Sequence, residues 1–312
     1  MKRKLILFLC VALMLVVATG CKSTQTKENA NNIQKGQDKV DASEETPKEE
    51  YPERTIGGTV AVVEMLDLLG VEMIGVPESR YPLPESCKDA EKIGKPMNPD
   101  IEIIKSLNPD MFISVSSLQA DLEKKLENSN IESVFIENDS YNNILASMKK
   151  LGEIYGKEKE AQDFIDEVNS KVEEILKNVE EGDKPKVMIL FGSPKSIMIA
   201  TEKSFAGSLV KEVGGINIAN EMGDFKDSYV PLSMEDVLKS QPDLILRLTH
   251  ANPEDSKKMF EKEFAENEIW QNLQAVKEDK VCDLDNKYFG VSGNIRIVKA
   301  IEELAKILYG TD

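Results

Sequence analysis

At 312 residues, 41% hydrophobic and 30% charged, the chain has the composition of a globular protein and room for two ordinary domains. A formal charge of −17, from 39 basic and 56 acidic residues, argues against a nucleic-acid partner and against electrostatic attraction to anionic lipid.

Residues 1–20 do not belong to the fold. Met1-Lys2-Arg3-Lys4 is a basic opening, and Leu5 to Val17 is an apolar run of signal-peptide length, too short to span a bilayer comfortably. The run closes on Val17-Ala18-Thr19-Gly20-Cys21, the small-residue pattern of a lipobox, with Ala18 where Leu is commoner. Cys21 is therefore the expected lipidation site and mature N-terminus; two acyl chains anchor far more durably than one. Residues 21–54 are polar, with Ile33 and Val40 as their only aliphatic core formers, and read as a flexible tether. Cys10 is lost with the leader, and Cys87 and Cys282 fall in different halves of the chain, so they read as free thiols.

Beyond Arg54, short apolar runs alternate with amphipathic stretches, the signature of an α/β fold. Thr59 to Leu69 reads as a helix and Met73 to Val76 as a strand. Asn98-Pro99-Asp100 opens a further helix, with Asn98 as N-cap and Pro99 in the first helical position. Strands follow at Met111 to Val115 and Ser133 to Ile136. Residues 157–181 keep helical spacing through Phe164, Val168, Val172, Ile175 and Val179, which makes one connecting helix of roughly 35 Å. The pattern restarts after Gly182, with strands at Lys186 to Phe191, Asp243 to Leu248 and Lys280 to Asp283. The helices there are Phe205 to Val213, Met234 to Ser240, Pro253 to Phe264 and Asn294 to Tyr309. The expected architecture is two Rossmann-like α/β lobes, 55–156 and 182–312, joined by a single long helix. In such a fold a ligand sits between the lobes, beyond the carboxyl ends of the strands.

The only histidine, His250, follows directly on the strand Asp243 to Leu248-Thr249 and precedes a helix start, so it stands where that cleft is expected. In the other half, Met97 is held between Pro96 and Pro99 on a polar loop, an unusual place for a core methionine. One His and one Met from opposite walls suit an iron site, and haem takes that pair as axial ligands. A zinc or manganese receptor needs several His and carboxylate ligands, which one histidine cannot supply. The sequence has no nucleophile elbow, no Walker loop and no neighbouring Cys–His pair, and does not read as an enzyme.

The segments VEMIGVPESRYPLP, KIGKPMNPDIEIIKSLNPD, IATEKSFAGSLVKEVGGINI and LILRLTHANPEDSKKMFEKEFAENEIW carry a resemblance. From about Arg54 onward the chain resembles the class III periplasmic-type binding proteins, and within them the IsdE-type haem receptors of Gram-positive bacteria. The resemblance implies a substrate-binding lipoprotein on the outer face of the cell membrane, held there only by its lipid. It further implies haem as the transported ligand, with an ABC permease, its ATPase and upstream cell-surface haem-binding proteins as partners. Met97 and His250 become the implied axial ligands, and backbone amides near Thr59-Val60 and Ser79-Arg80-Tyr81 the implied propionate receivers. Glu102 and Glu235, one helix-borne carboxylate in each lobe, match the pattern by which such receptors dock on their permease. A ferric siderophore or cobalamin on the same fold is the alternative cargo, with Met97 and His250 then merely lining the cleft.

Overall fold

The computed structural model describes residues 51–177, 179, 184–193, 196–249, 253–290 and 292–310; Cys21 and the expected leader and tether up to residue 50 lie outside them. The first lobe is built on β1 (Thr55–Gly57), β2 (Met73–Val76), β3 (Glu91–Lys92), β6 (Met111–Val115) and β7 (Glu132–Ile136), with a separate two-stranded ladder of β4 (Gly94–Lys95) and β5 (Asn98–Pro99). Its helices are α1 (Val60–Leu68), α2 (Ile101–Ser106), α3 (Gln119–Leu126) and α4 (Tyr141–Tyr155). The sheet order is β3-β2-β1-β6-β7, parallel throughout. Every residue of β1 and β6 is buried, as a central parallel strand covered on both faces requires.

Gly156 ends α4 in the left-handed conformation (φ +61°) and donates its N–H to Gly152 O, turning the chain into α5 (Glu158–Leu176). On α5, Ala161, Phe164, Val168 and Val172 form one buried stripe at helical spacing, which packs on α4 and on α12 (Ile297–Tyr309). The helix stops at Leu176, before the expected end at 181; of the residues between there and Lys184, Asn178 and 180–183 lie outside the described set.

The second lobe holds β8 (Lys186–Ser193), β9 (Ser196–Ala200), β10 (Ile216–Asn217), β11 (Tyr229–Pro231), β12 (Leu244–Thr249) and β13 (Val281–Asp283). Its helices are α6 (Phe205–Glu212), α7 (Ala219–Met222), α8 (Met234–Ser240), α9 (Pro253–Glu266), α10 (Glu268–Asn272), α11 (Gln274–Lys277) and α12 (Ile297–Tyr309). The order is β11-β9-β8-β12-β13, with β10 also on β8; β9 runs antiparallel to both its neighbours and the other pairs are parallel.

Strand alternation divides the interior. Along β8, Val187 and Ile189 face one core while Met188 and Leu190 face another, the two-residue period of a pleated strand. Val187 and Ile189 belong to a core that runs without interruption into the first lobe, through Phe205, Leu209, Ile301 and Leu304 to Val172, Ile144, Val63 and Met111. Smaller cores lie on the outer faces of the sheets, one around Phe112 and Ile104, the other around Phe260 and Trp270.

Two helix starts differ from the sequence expectation. The helix expected to open at Asn98-Pro99 begins at Ile101, with Asp100 as its N-cap. The Asp100 carboxylate accepts from both Glu102 N (3.0 Å) and Ile103 N (3.1 Å), a stronger cap than Asn98 could offer two residues earlier. Asn98 and Pro99 form β5 instead, pairing with Lys95 and Gly94, where Gly94 adopts a positive φ of 86°. The terminal helix starts at Ile297, because Asn294 to Arg296 are spent on other contacts: Asn294 Oδ1 accepts from Arg296 N at 2.9 Å.

Candidate functional site

The chemistry-bearing residues of the first lobe collect just past the carboxyl ends of its strands. Gly58 follows β1 and donates its N–H to Ile113 O at 2.7 Å. A Cβ there would meet Phe112 Cζ at 2.9 Å and Ile113 O at 3.0 Å, so only glycine lets the chain turn this close to β6. Thr59 comes next as the N-cap of α1, with extended backbone and its Oγ1 accepting from Val62 N at 3.3 Å. Val60 is the first helical residue, and the first turn carries no acid. Backbone N–H groups at a helix start lack intrahelical partners and attract anions. This turn is therefore suited to a carboxylate.

Ser79, Arg80 and Tyr81 lie on the exposed loop after β2, where Ser79 Oγ accepts from Tyr81 N at 2.9 Å. Glu78 donates its N–H to Gly94 O at 2.7 Å, tying that loop to the β4–β5 hairpin. A cavity of about 320 Å³ opens beside it, lined by Ser79, Tyr81, Leu83, Cys87, Lys88 and Lys92. Met97 stands at the tip of the hairpin and is 76% exposed, the most exposed large apolar side chain among the described residues. The hairpin tip holds this soft, polarizable thioether in solvent, clear of the core. The hairpin is braced from α3: Lys125 Nζ donates to Asn98 Oδ1 at 2.9 Å and reaches Met97 O at 3.5 Å.

In the second lobe, β12 ends at Thr249, and His250 lies outside the described residues. Thr249 Oγ1 and the Asn286 amide are hydrogen-bonded, with Nδ2 donating at 2.9 Å. One residue earlier in the register, Leu248 pairs with Phe191, whose ring lies 4.5 Å from that of Tyr229. The Tyr229 hydroxyl is buried without a hydrogen-bond partner among the described residues, and burial pushes its pKa up, so it stays a neutral phenol. This aromatic pair of β8 and β11 escaped the sequence reading: Phe191 reads there as the end of an ordinary strand, and no strand was expected at Tyr229.

Glu102 and Glu235 each sit in the first turn of a helix, α2 and α8, and both are well exposed (86% and 76% of the side chain). Each is paired within its own helix, Glu102 with Lys105 at 3.4 Å and Glu235 with Lys239 at 2.6 Å. Such exposed pairs contribute little to stability and leave carboxylate oxygens open to a partner. Cys87 is buried; Cys282 is half-buried, and burial, helped by Asp283, pushes its thiol pKa up, away from the reactive thiolate. Among the described residues, no cluster of three His, Cys, Asp or Glu side chains could hold a bare metal ion, and no helix is long and apolar enough to cross a membrane.

Comparison with known proteins supplies the remaining findings. Residues 58–288 match the profile of the family described as periplasmic binding protein. The chain is 34% identical over 301 residues to the high-affinity heme uptake system protein IsdE of Staphylococcus aureus strain Newman, covering 96% of each chain. In structure it is similar to an ABC transporter substrate-binding protein from Listeria monocytogenes EGD-e, with a TM-score of 0.78 and 35% identity. It is similar as well to S. aureus IsdE complexed with heme, with a TM-score of 0.76 and 35% identity. Each match covers 84% of this chain and all of the other.

Proposed function

The chain belongs to the periplasmic binding protein family, and we propose that its cargo is haem, captured between the lobes and handed to an ABC permease. The observation that carries this reading is the 34% identity, spread over 96% of the chain, to a protein named for high-affinity haem uptake. The two-lobed α/β class implied by the resemblance is the class observed.

In this reading Met97 and His250 supply the two axial bonds to iron, one from each lobe. The exposure of Met97 supports its part, since a hairpin tip can present the sulfur without disturbing the core. The first turn of α1, at Thr59 and Val60, and the loop Ser79-Arg80-Tyr81 receive the propionates through backbone amides, with the Arg80 guanidinium adding charge. The lobes divide at 55–156 and 182–312 around a connector over 157–181. Cys21 carries the lipid that holds the protein on the outer face of the membrane. Glu102 and Glu235 meet basic groups of the permease, one from each lobe, and the permease's ATPase drives release inward.

Titration of the purified, colourless protein with haemin, a ferric siderophore and cobalamin tests the cargo. Haemin should bind at one equivalent and give a six-coordinate, low-spin spectrum. Uptake of a ferric siderophore or cobalamin with refusal of haemin would overturn the reading.

A further inference from the structure

The segment Leu284 to Arg296, of which Val291 lies outside the described residues, bonds both lobes, at the carboxyl end of β12 and at α1. At its start, Leu284 N extends the β12–β13 ladder by donating to Arg247 O at 2.9 Å. Asn286 then holds the Thr249 hydroxyl, the last side chain of β12, at 2.9 Å. Phe289 is fully buried in the core common to both lobes.

At its far end, Gly293 exchanges two hydrogen bonds with Asn138, which follows β7 in the first lobe: Gly293 N donates to Asn138 O at 2.6 Å, and Asn138 Nδ2 donates to Gly293 O at 3.1 Å. Arg296 finally forks onto Glu64 of α1, Nη1 to Oε2 at 3.1 Å and Nη2 to Oε1 at 2.5 Å. The Glu64 side chain is only 7% exposed, so removing the guanidinium would leave a buried carboxylate without its ion-pair partner. Between its anchors the segment bonds to itself: Tyr288 N donates to Asp285 O, Asn294 Nδ2 donates to Tyr288 O at 3.5 Å across the middle, and Asn294 Oδ1 accepts from Arg296 N.

A segment stiffened internally and pinned at each end transmits position. We infer that Leu284–Arg296 is a strut that fixes the carboxyl end of β12 against the first turns of α1, and that Asn286 and Arg296 are its positioning residues. Neither need touch the ligand. They set the separation of the walls from which the ligand is gripped, and with it the rate at which the ligand escapes. The inference rests on the reading that cargo is held between these walls.

Two measurements on the full chain separate the possibilities. In the ligand-free protein, hydrogen exchange should rise in Asn286→Ala at the end of β12 and also across the lobes in the first turns of α1, while α9 keeps its native protection. Asn286→Asp loses the Nδ2 donor but keeps an oxygen for the Thr249 hydroxyl, which lies 3.4 Å from Asn286 Oδ1, and should restore part of it. With haemin bound, Asn286→Ala and Arg296→Lys should each release it about tenfold faster, the loss expected for one hydrogen bond or one bidentate fork, without altering the low-spin spectrum. Should Arg296→Lys fail to fold, Glu64→Gln with Arg296→Gln removes both charges and is read the same way. Exchange confined to residues near 286, together with haemin release within twofold of native, overturns the strut. A native protein that takes no haemin overturns the cargo assignment alone, and the exchange arm still decides the strut.

Discussion

Replacing Met97 by alanine isolates ligation from folding, because the structure makes the side chain irrelevant to stability. The thioether is 76% exposed, and truncation removes no hydrogen bond: the hairpin is held by the Gly94–Pro99 and Lys95–Asn98 pairs and by Lys125 on Asn98 Oδ1. Surface truncations away from caps and cores change stability by about 0.5 kcal/mol or less, so the urea midpoint of Met97→Ala should barely move. Any loss of haemin affinity then belongs to the iron bond. Loss of one axial donor should convert the spectrum from six-coordinate low-spin toward five-coordinate high-spin. Affinity should fall at least about tenfold, or about 1.4 kcal/mol. Absorption spectra and a haemin competition titration, run beside the urea curve, read all three quantities. A variant of native stability that keeps the native low-spin spectrum would show that Met97 does not bind the iron.

Reversing Glu102 and Glu235 to Lys together should leave haemin binding intact and abolish permease-dependent uptake, with either single reversal giving a partial loss; normal uptake by the double variant would reduce both to solvated helix acids. Gly293→Ala should destabilise by about 1–3 kcal/mol or more, since the new Cβ would lie 2.3 Å from Ile144 Cδ1, 2.8 Å from Asn138 O and 2.8 Å from Phe205 Cδ2; a melting temperature equal to native would refute the packing argument. The Tyr155 phenol is buried and hydrogen-bonded to Thr55 Oγ1 at 2.8 Å, and burial pushes its pKa from 10.0 up to about 12. Its folded pKa is raised, so its contribution is complete below pH 10 and is lost as pH climbs toward 12, on the order of 2–3 kcal/mol. Tyr155→Phe should flatten that stretch of the stability-against-pH curve, and an unchanged slope would discount the burial argument.

The parts legible in the sequence were those with a local period. Met111–Val115 and Met234–Ser240 were read with the bounds they have; the first is apolar but for Ser114, and the structure shows the second capped by Ser233, whose side chain accepts from Asp236 N. The three-residue β1 is too short for any period to declare itself, although it lies at the centre of its sheet. The hairpin bearing Met97 was misread because Asn98 and Asp100 are both good caps, and only the geometry of two amides on one Asp100 oxygen decides between them. Placing Met97 on a polar loop by its neighbouring prolines nevertheless brought it to an exposed tip. Glu64 and Arg296 are 232 positions apart, and no spacing rule joins residues at such a distance. Asn138 and Gly293 stayed invisible for the same reason.

The core common to the two lobes has a consequence for the order in which the chain can acquire its structure. The buried stripe of α5, Phe164, Val168 and Val172, is covered partly by α12, whose Ile301 and Leu304 belong to the same interior. A chain delivered from its N-terminus therefore presents the first sheet and α5 well before the helix that seals them. Until α12 arrives, the connector's apolar face is covered by α4 alone and the Glu64 carboxylate lacks its guanidinium. A chain stopped short of Ile297 lacks that seal and exposes a sticky surface in both halves at once.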